Sequence, residues 1–365
     1  MAKRKIRKVD AAAVRSHETL TGTIMDVKKP SNFLFDLLFA RHQSLTTEKA
    51  EIGIWTGGRQ CAPFVRKNGE ARLVGGRGNS FQTVDTPHIR IKQAIAPGDI
   101  VFTRQPGSEI FSSSDQAAGI AQYYAMQQQA MMDMIAESEE WLAAQALRMQ
   151  ITYTPVETED VFQVTFPRSN THTTTASVDW DEADKDLVKI EEDAIEASRL
   201  VSEDVGLGVN TCFLGTLAGL HFRQTMRRNG LLDTLNLSVG NMNLNAQWLA
   251  SGAKPLGNLF GIDWWQYSRQ TTDHAGDTKN LIRSKYAEFV AVTPGNEFVT
   301  YYGAIADAKT LGNRLHVGER FSKAWLQDDP SVEFLLASSR PLPVPRRADA
   351  TVSMKVVSGA NPTEG

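Results

Sequence analysis

The sequence is poor in the patterns that announce chemistry. It has two cysteines, Cys61 and Cys212, far apart and in neither a CxxC nor a Cys/His spacing. That argues against a zinc ribbon or a disulfide framework and makes a reducing compartment the default. No GxxxxGK[ST] phosphate loop, HExxH zinc pair or GxSxG nucleophile elbow occurs. The glycine-rich "GGRGNS", Gly75 to Ser80, precedes no helix start that could hold phosphate and reads as a loop tip. The seven histidines are scattered, and none pairs with a Cys or an acidic residue at ligand spacing. Carboxylate clusters, Glu191-Glu192-Asp193 and Asp179 with Asp181 and Glu182, read as solvated faces or helix starts rather than a cation site. The expectation is therefore no catalytic residue, no cofactor and no metal. No charge of one sign dominates, and the formal net of −3 is too small to imply a chain that binds nucleic acid or a membrane surface as a whole. Long apolar runs are also missing. Val205 to Phe222 has no Asp, Glu, Lys or Arg, but its four glycines, Asn210, two threonines and His221 would be penalised in a bilayer, so it reads as buried strand and turn. The basic start continues as "VDAAAVRSHETLTG", which lacks the apolar core of a secretory signal. Neither export nor membrane contact is expected.

What is present is the composition of a folded protein: 365 residues, 41% hydrophobic and 22% charged, enough for two or three cores. One local charge cluster stands out. In residues 1–30, Lys3, Arg4, Lys5, Arg7, Lys8, Arg15, Lys28 and Lys29 face Asp10, Glu18 and Asp26, eight cations against three anions, a net of +5. This segment has no periodicity and reads as an extended arm, which would either neutralise nucleic-acid phosphates or dock on an acidic neighbour. Phe35 to Trp55, "FDLLFARHQSLTTEKAEIGIW", then passes from an apolar patch through a threonine-rich corner into a strand. From Glu51 to Phe102 strands alternate with turn chemistry, and Asn68-Gly69 predicts a type I′ hairpin because both central residues need positive φ. With so few large apolar side chains, this segment must lie against something else.

Ser112 to Asp115 supply N-cap candidates, and residues 120–149 hold no glycine or proline. Ile120, Tyr124, Met131, Ile135, Leu142, Ala146 and Met149 recur at 4, 7, 4, 7, 4 and 3, which places them on one face of a helix from about Asp115 to Met149, about 50 Å long. The four methionines from Met126 to Met134 read as core packing, with an adaptable groove the sharper alternative. "ITYTPVETEDVFQVTF", Ile151 to Phe166, predicts two strands around a turn. A new unit starts near Asp186 with a helix closed at Gly206, then the buried strand "VNTCFLG" and a helix closed by Asn229-Gly230. "NLFGIDWWQYSR", "EFVAVTP" and "EFVTYYGAIAD" continue as strands; Trp264-Trp265 with Tyr267 reads as a buried strand rather than a stacking platform. "VEFLLASSRPLPVP" and "TVSMKVV" follow, and Pro341, Pro343 and Pro345 point to a sheet edge or extended loop.

The order of these parts resembles the major capsid protein of phage lambda and its relatives. Phe39 to Lys49, ending Leu45-Thr46-Thr47-Glu48-Lys49, is similar to that family's junction between arm and extended loop. Asn210 to Thr225 is similar to its strand followed by a helix, although the family's acidic residue after the strand is here Gly215. Tyr301 to Val344 is the nearest match, with Trp325, Asp329 and Pro330 in a Trp-x-x-x-Asp-x-Pro rhythm. The resemblance implies an α+β chain of the Hong Kong 97-type capsid fold. Its parts would be an N-terminal arm at 1–50, an extended β-hairpin loop at 51–105, a peripheral domain at 106–185 with a spine helix at 115–149, an axial domain at 186–300, and a return to the peripheral domain with a C-terminal tail at 301–365. It implies a structural protein rather than an enzyme: a shell tile of a tailed double-stranded DNA phage, assembled as pentamers and hexamers in the bacterial cytoplasm and kept in the virion head. Implied partners are a separate scaffolding protein, a decoration protein, a portal protein at one vertex and the packaged DNA through nonspecific contact, with no membrane. Arm and loop contacts between subunits would fall to Phe35, Leu38, Phe39, Trp55, Phe64, Lys67, Arg72 and Phe81. Some relatives crosslink a loop lysine to an asparagine; Lys67 lies in that segment, but no partner is identified. The other readings are a nucleic-acid-binding module built on the basic arm and an enzyme of unrecognised type.

Overall fold

The computed structural model describes residues 20–21, 32–56, 78–96, 113–156, 160–182, 186–229, 249, 251–272, 276–292, 297–307, 315–329 and 331–359. The hairpin tip expected at Asn68-Gly69 lies outside them, as does the side chain of Ile120. The helices that organise the fold are α1 (Leu34–Leu38), α2 (Ser113–Leu147), α3 (Leu187–Asp204) and α4 (Thr216–Arg228). Among the described residues no helix is long and apolar enough to cross a membrane.

The long helix α2 is the axis of the subunit, and its 35 residues span about 52 Å at 1.5 Å each. Tyr124, Met131, Ile135, Leu142, Ala146 and Met149 are all buried, as their spacing requires. The helix sits two residues earlier than 115–149, because Met149 adopts a left-handed φ of 66° and ends it. The Met149 carbonyl then accepts from the Phe166 N–H at 2.8 Å, which starts the hairpin Gln150–Tyr153 with Phe162–Thr165. The methionines divide: Met131 and Met132 are buried, Met126 and Met134 exposed.

Two sheets flank this axis, each joining distant parts of the chain. Ile89–Ile95, Val332–Ser339 and Phe321–Gln327 form an antiparallel sheet against the middle of α2, where Leu20, Ile95, Tyr124, Met131, Met132, Ile135, Ala324 and Leu335 make a small core. Near the second half, His42–Ser44, Phe298–Tyr302 and Pro341–Pro345 form a three-stranded sheet. The prolines lie on an edge strand, as their missing N–H groups demand.

A six-stranded mixed sheet carries the rest, in the order Thr173–Thr175, Thr351–Lys355, Tyr286–Val290, Thr211–Leu214, Ile262–Tyr267, Ala253–Leu259. Its core is aromatic. Trp264 stacks on Phe222 of α4 with centroids 4.5 Å apart and meets Phe289 edge-on at 5.8 Å, while its indole N–H donates to the Leu259 carbonyl at 3.1 Å. "NLFGIDWWQYSR" is two strands rather than one, because Phe260 (φ 57°) and Gly261 (φ 78°) both take the left-handed conformation of a two-residue hairpin turn. Helix α3 starts at Asp186, whose side chain accepts from the Leu187 N–H, and Gly206 at φ 71° follows its end.

Gly215 links the central strand to α4 at a point where no side chain fits. A Cβ there would meet the Arg283 carbonyl oxygen at 2.0 Å, while the Gly215 N–H donates to the Tyr286 carbonyl at 3.1 Å. Gly208 has open space around the same position and no positive φ. Chemical denaturation should show Gly215→Ala destabilised by about 3 kcal/mol. Gly208→Ala should fall within about 0.5 kcal/mol of the parent or slightly above it; equal effects at the two sites would contradict the packing described.

Candidate assembly surface

Three carboxylates on one turn of α2 hold the remote parts of the chain together. Glu140 is fully buried and accepts from the backbone N–H groups of Phe33 (3.2 Å), Leu34 (2.8 Å) and Phe35 (2.9 Å), and from the Tyr267 hydroxyl at 2.6 Å. The first turn of α1 has amides without helical acceptors, and no cap side chain of its own bonds to them, so a glutamate more than a hundred residues away supplies the acceptor. Burial and the adjacent Glu140 raise the Tyr267 hydroxyl well above its ordinary range, so it stays a donor. Glu139, also buried, accepts from the Tyr302 hydroxyl at 3.2 Å and from Arg320 at 3.2 Å, both from the returning strands. Glu137 pairs with Arg269, and the Asn32 side chain donates to the Ala136 carbonyl at 2.8 Å. The arm, the six-stranded sheet and the returning strands thus all meet α2 between Ala136 and Glu140.

From this junction the chain enters the hairpin. Phe35, Leu38 and Phe39 are buried in the subunit's own main core, while Leu37 is 39% exposed. Lys49–Thr56 then pairs antiparallel with Gly78–Asp85, from Lys49 opposite Asp85 to Thr56 opposite Gly78. Alternation sets the two faces: Ala50, Ile52, Ile54 and Val84 point into the same core, whereas Lys49, Glu51 and Asp85 face outward. The base of the hairpin is anchored at home, more firmly than its thin apolar content predicts. Its outward face carries Phe81, 77% exposed, whose ring lies 3.3 Å from where a Cβ on Gly53 opposite would be. Trp55 pairs with Asn79 through its backbone; Phe64, Lys67 and Arg72 lie outside the described residues. The structure therefore places Phe35, Leu38 and Phe39 together and Phe81 on the opposite, outer side.

The other candidate groups resolve into structure. Asp193 accepts from the Ser177 N–H and hydroxyl, both at 3.1 Å, and from the Trp180 indole at 2.9 Å; Glu192 pairs with Lys189, and Asp181 accepts from Ser358. Trp264 and Tyr267 are fully buried. Burial pushes the Cys212 thiol well above its ordinary range, the opposite of what a nucleophile needs.

Sequence reading passed over Glu139 and Gln128, yet a signal was there. Two gaps of seven interrupt the apolar stripe, after Tyr124 and after Ile135, and buried Gln128 and Glu139 fill the missing positions. The Gln128 amide donates to the Leu20 carbonyl at 3.2 Å. A polar residue at a core position of a helix has to find a partner from elsewhere in the chain. In the Glu140→Gln variant the amide would turn a donor toward donors already in place, so thermal or chemical unfolding should show a loss of about 3 kcal/mol; parent-like stability would mean that the junction contributes little.

The sequence profile of the family described as phage major capsid protein E matches residues 16–356. Among solved structures, the chain is similar to a protein assigned as a capsid protein of a prophage of E. coli CFT073, with 17% identity, a TM-score of 0.65, and coverage of 93% of this chain and 99% of that one. It is also similar to the capsid of cyanophage P-SCSP1u, at 11% identity and a TM-score of 0.48, covering 98% of this chain and 94% of that one. No curated protein sequence matches. The fold is that of the Hong Kong 97-type phage capsid proteins, and the chain belongs to the phage major capsid protein E family.

Proposed function

We propose that the protein forms the head shell of a tailed double-stranded DNA phage as pentamers and hexamers closed into an icosahedron around the genome. The observation that carries this reading is the family profile's match to residues 16–356, nearly the whole chain. On this reading residues 1–50 are the arm, 51–105 the extended loop, 106–185 and 301–365 the peripheral domain and tail, and 186–300 the axial domain. The loop is the part that reaches a neighbour, with the outward Phe81 face and the segment bearing Phe64, Lys67 and Arg72 as its contacts. Phe35, Leu38 and Phe39 act indirectly, by holding the base of that loop. Assembly takes place in the host cytoplasm on a separate scaffolding protein, with a portal at one vertex and a decoration protein on the outside. The +5 arm meets DNA by nonspecific contact. No catalysis is required of such a tile, and Cys212, Tyr267 and Tyr302, whose acidity is displaced mainly by burial, serve packing. Much of the particle's stability then comes from intersubunit contacts, so it depends on assembly.

Sedimentation and electron microscopy of the full chain co-expressed with its scaffolding partner should show closed particles. A persistent compact monomer would sink the proposal. Replacing residues 57–77 by Asn-Gly, the two-residue connection that joins Thr56 to its partner Gly78, keeps the anchored base. That variant should stay folded and soluble with closed particles lost; normal shells would refute the role given to the loop. Phe81→Ser should change subunit stability by less than about 1 kcal/mol while lowering particle yield, read by the same sedimentation assay.

A further inference from the structure

His172 is fully buried, yet it belongs to none of the interactions described so far. Its Nδ1 lies 2.9 Å from the Thr351 carbonyl oxygen, which can only accept, so Nδ1 carries the proton. Nε2 faces Asp204 Oδ2 at 2.9 Å with the Asp349 carboxylate beside it, a position that takes either a proton on Nε2 or a metal ion. One ligand atom from each of the three residues lies within 4.8 Å of the others. An imidazole whose second nitrogen is tied to a backbone carbonyl is the arrangement that orients a metal-ligating histidine.

We propose that His172, Asp204 and Asp349 form a site for one divalent transition cation of the zinc class. The donor set suits a dication: two carboxylates converge on one imidazole, and the Arg168 cation, in the field of Asp349, offsets part of their charge. A single proton on Nε2 would satisfy Asp204 and leave Asp349 with the Ser169 N–H, which donates to its Oδ1 at 2.8 Å, and the field of Arg168. Arg168 is close by, but its hydrogens go to the hydroxyls of Thr173 (2.7 Å) and Thr351 (3.3 Å) rather than to either carboxylate. One nitrogen and two oxygen ligands favour zinc-like ions over magnesium or calcium, which take shells of six or more oxygens. Three protein ligands leave a tetrahedral position for water, and the Asp204 side chain, 38% exposed, offers an approach and room to close on the ion.

The ligands come from three separate stretches: the turn Asn170–His172 that leads into one edge strand, the last residue of α3, and the turn Ala348–Ala350 that leads into Thr351–Lys355. A bound cation would staple the returning end of the chain to α3 and to the six-stranded sheet. This inference concerns the single subunit and does not depend on the shell reading.

The test uses the full-length protein stripped of metal with a chelator, titrated with zinc chloride by calorimetry and followed by thermal unfolding. The parent should take up one zinc per subunit saturably and unfold at a higher temperature with zinc than without. His172→Gln should lose that uptake, and Asp204→Asn and Asp349→Asn should weaken it at least tenfold. Where His172→Gln fails to fold, Asp204→Asn decides, because its side chain is partly exposed. Absence of stoichiometric uptake, uptake unchanged in the foldable variants, or an equal response to magnesium chloride would overturn the proposal. So would a parent whose unfolding temperature is indifferent to zinc, which would assign the position to a proton.

Discussion

The Glu140 carboxylate is the constraint on which the rest of the subunit depends. It sits at zero exposure in an apolar core and is tolerated because three backbone N–H groups and one tyrosine hydroxyl converge on it. A buried charge without such donors would be expelled or neutralised. The same contacts decide three placements at once. Donation from Phe33, Leu34 and Phe35 fixes the start of α1, donation from Tyr267 fixes the six-stranded sheet, and both are referred to one turn of α2. Glu139 and Glu137 do the same for Arg320 and Arg269.

Residues of α1, the hairpin, α2, the mixed sheet and the returning strands share the largest apolar core. Three apolar clusters line α2 and the mixed sheet, one around the middle of the helix, one around its second half and one inside the sheet with α3 and α4. Apolar contact is non-directional and would let such clusters slide, whereas buried charged hydrogen bonds specify one register. The hairpin is anchored in the largest of those clusters by Ala50, Ile52, Ile54 and Val84 on its inner face and leaves Phe81 outside. The buried faces of the two strands fix the base of the hairpin.

Much of this was readable in the chain. The α2 stripe, the two helices of the sheet domain, the hairpin after Ile151 and the proline-bearing edge strand follow from periodicity and turn chemistry, which are local properties. The misreadings were local too. Met149 ends α2 in a left-handed conformation uncommon for a residue other than glycine, and Phe260 takes the first position of a type I′ turn, where asparagine or glycine is the usual signal. The candidate surface was less readable: sequence grouped Phe35, Leu38 and Phe39 with Phe81 as contacts between subunits, whereas folding buries the first three in the chain's own core and only the alternation of the hairpin leaves Phe81 outside.

By itself the sequence determined the kind of elements, the absence of familiar catalytic motifs and, through the order of its phrases, the family. Tertiary structure alone decided which polar residues meet. Glu140 and the amides of Phe33 to Phe35 are more than a hundred residues apart, and His172, Asp204 and Asp349 come from three separate stretches with no ligand spacing between them. The physical reason is that hydrophobic periodicity is written within a few residues of itself, whereas the partner of a buried polar group is set by how distant segments pack, and only folding brings those segments within hydrogen-bond reach.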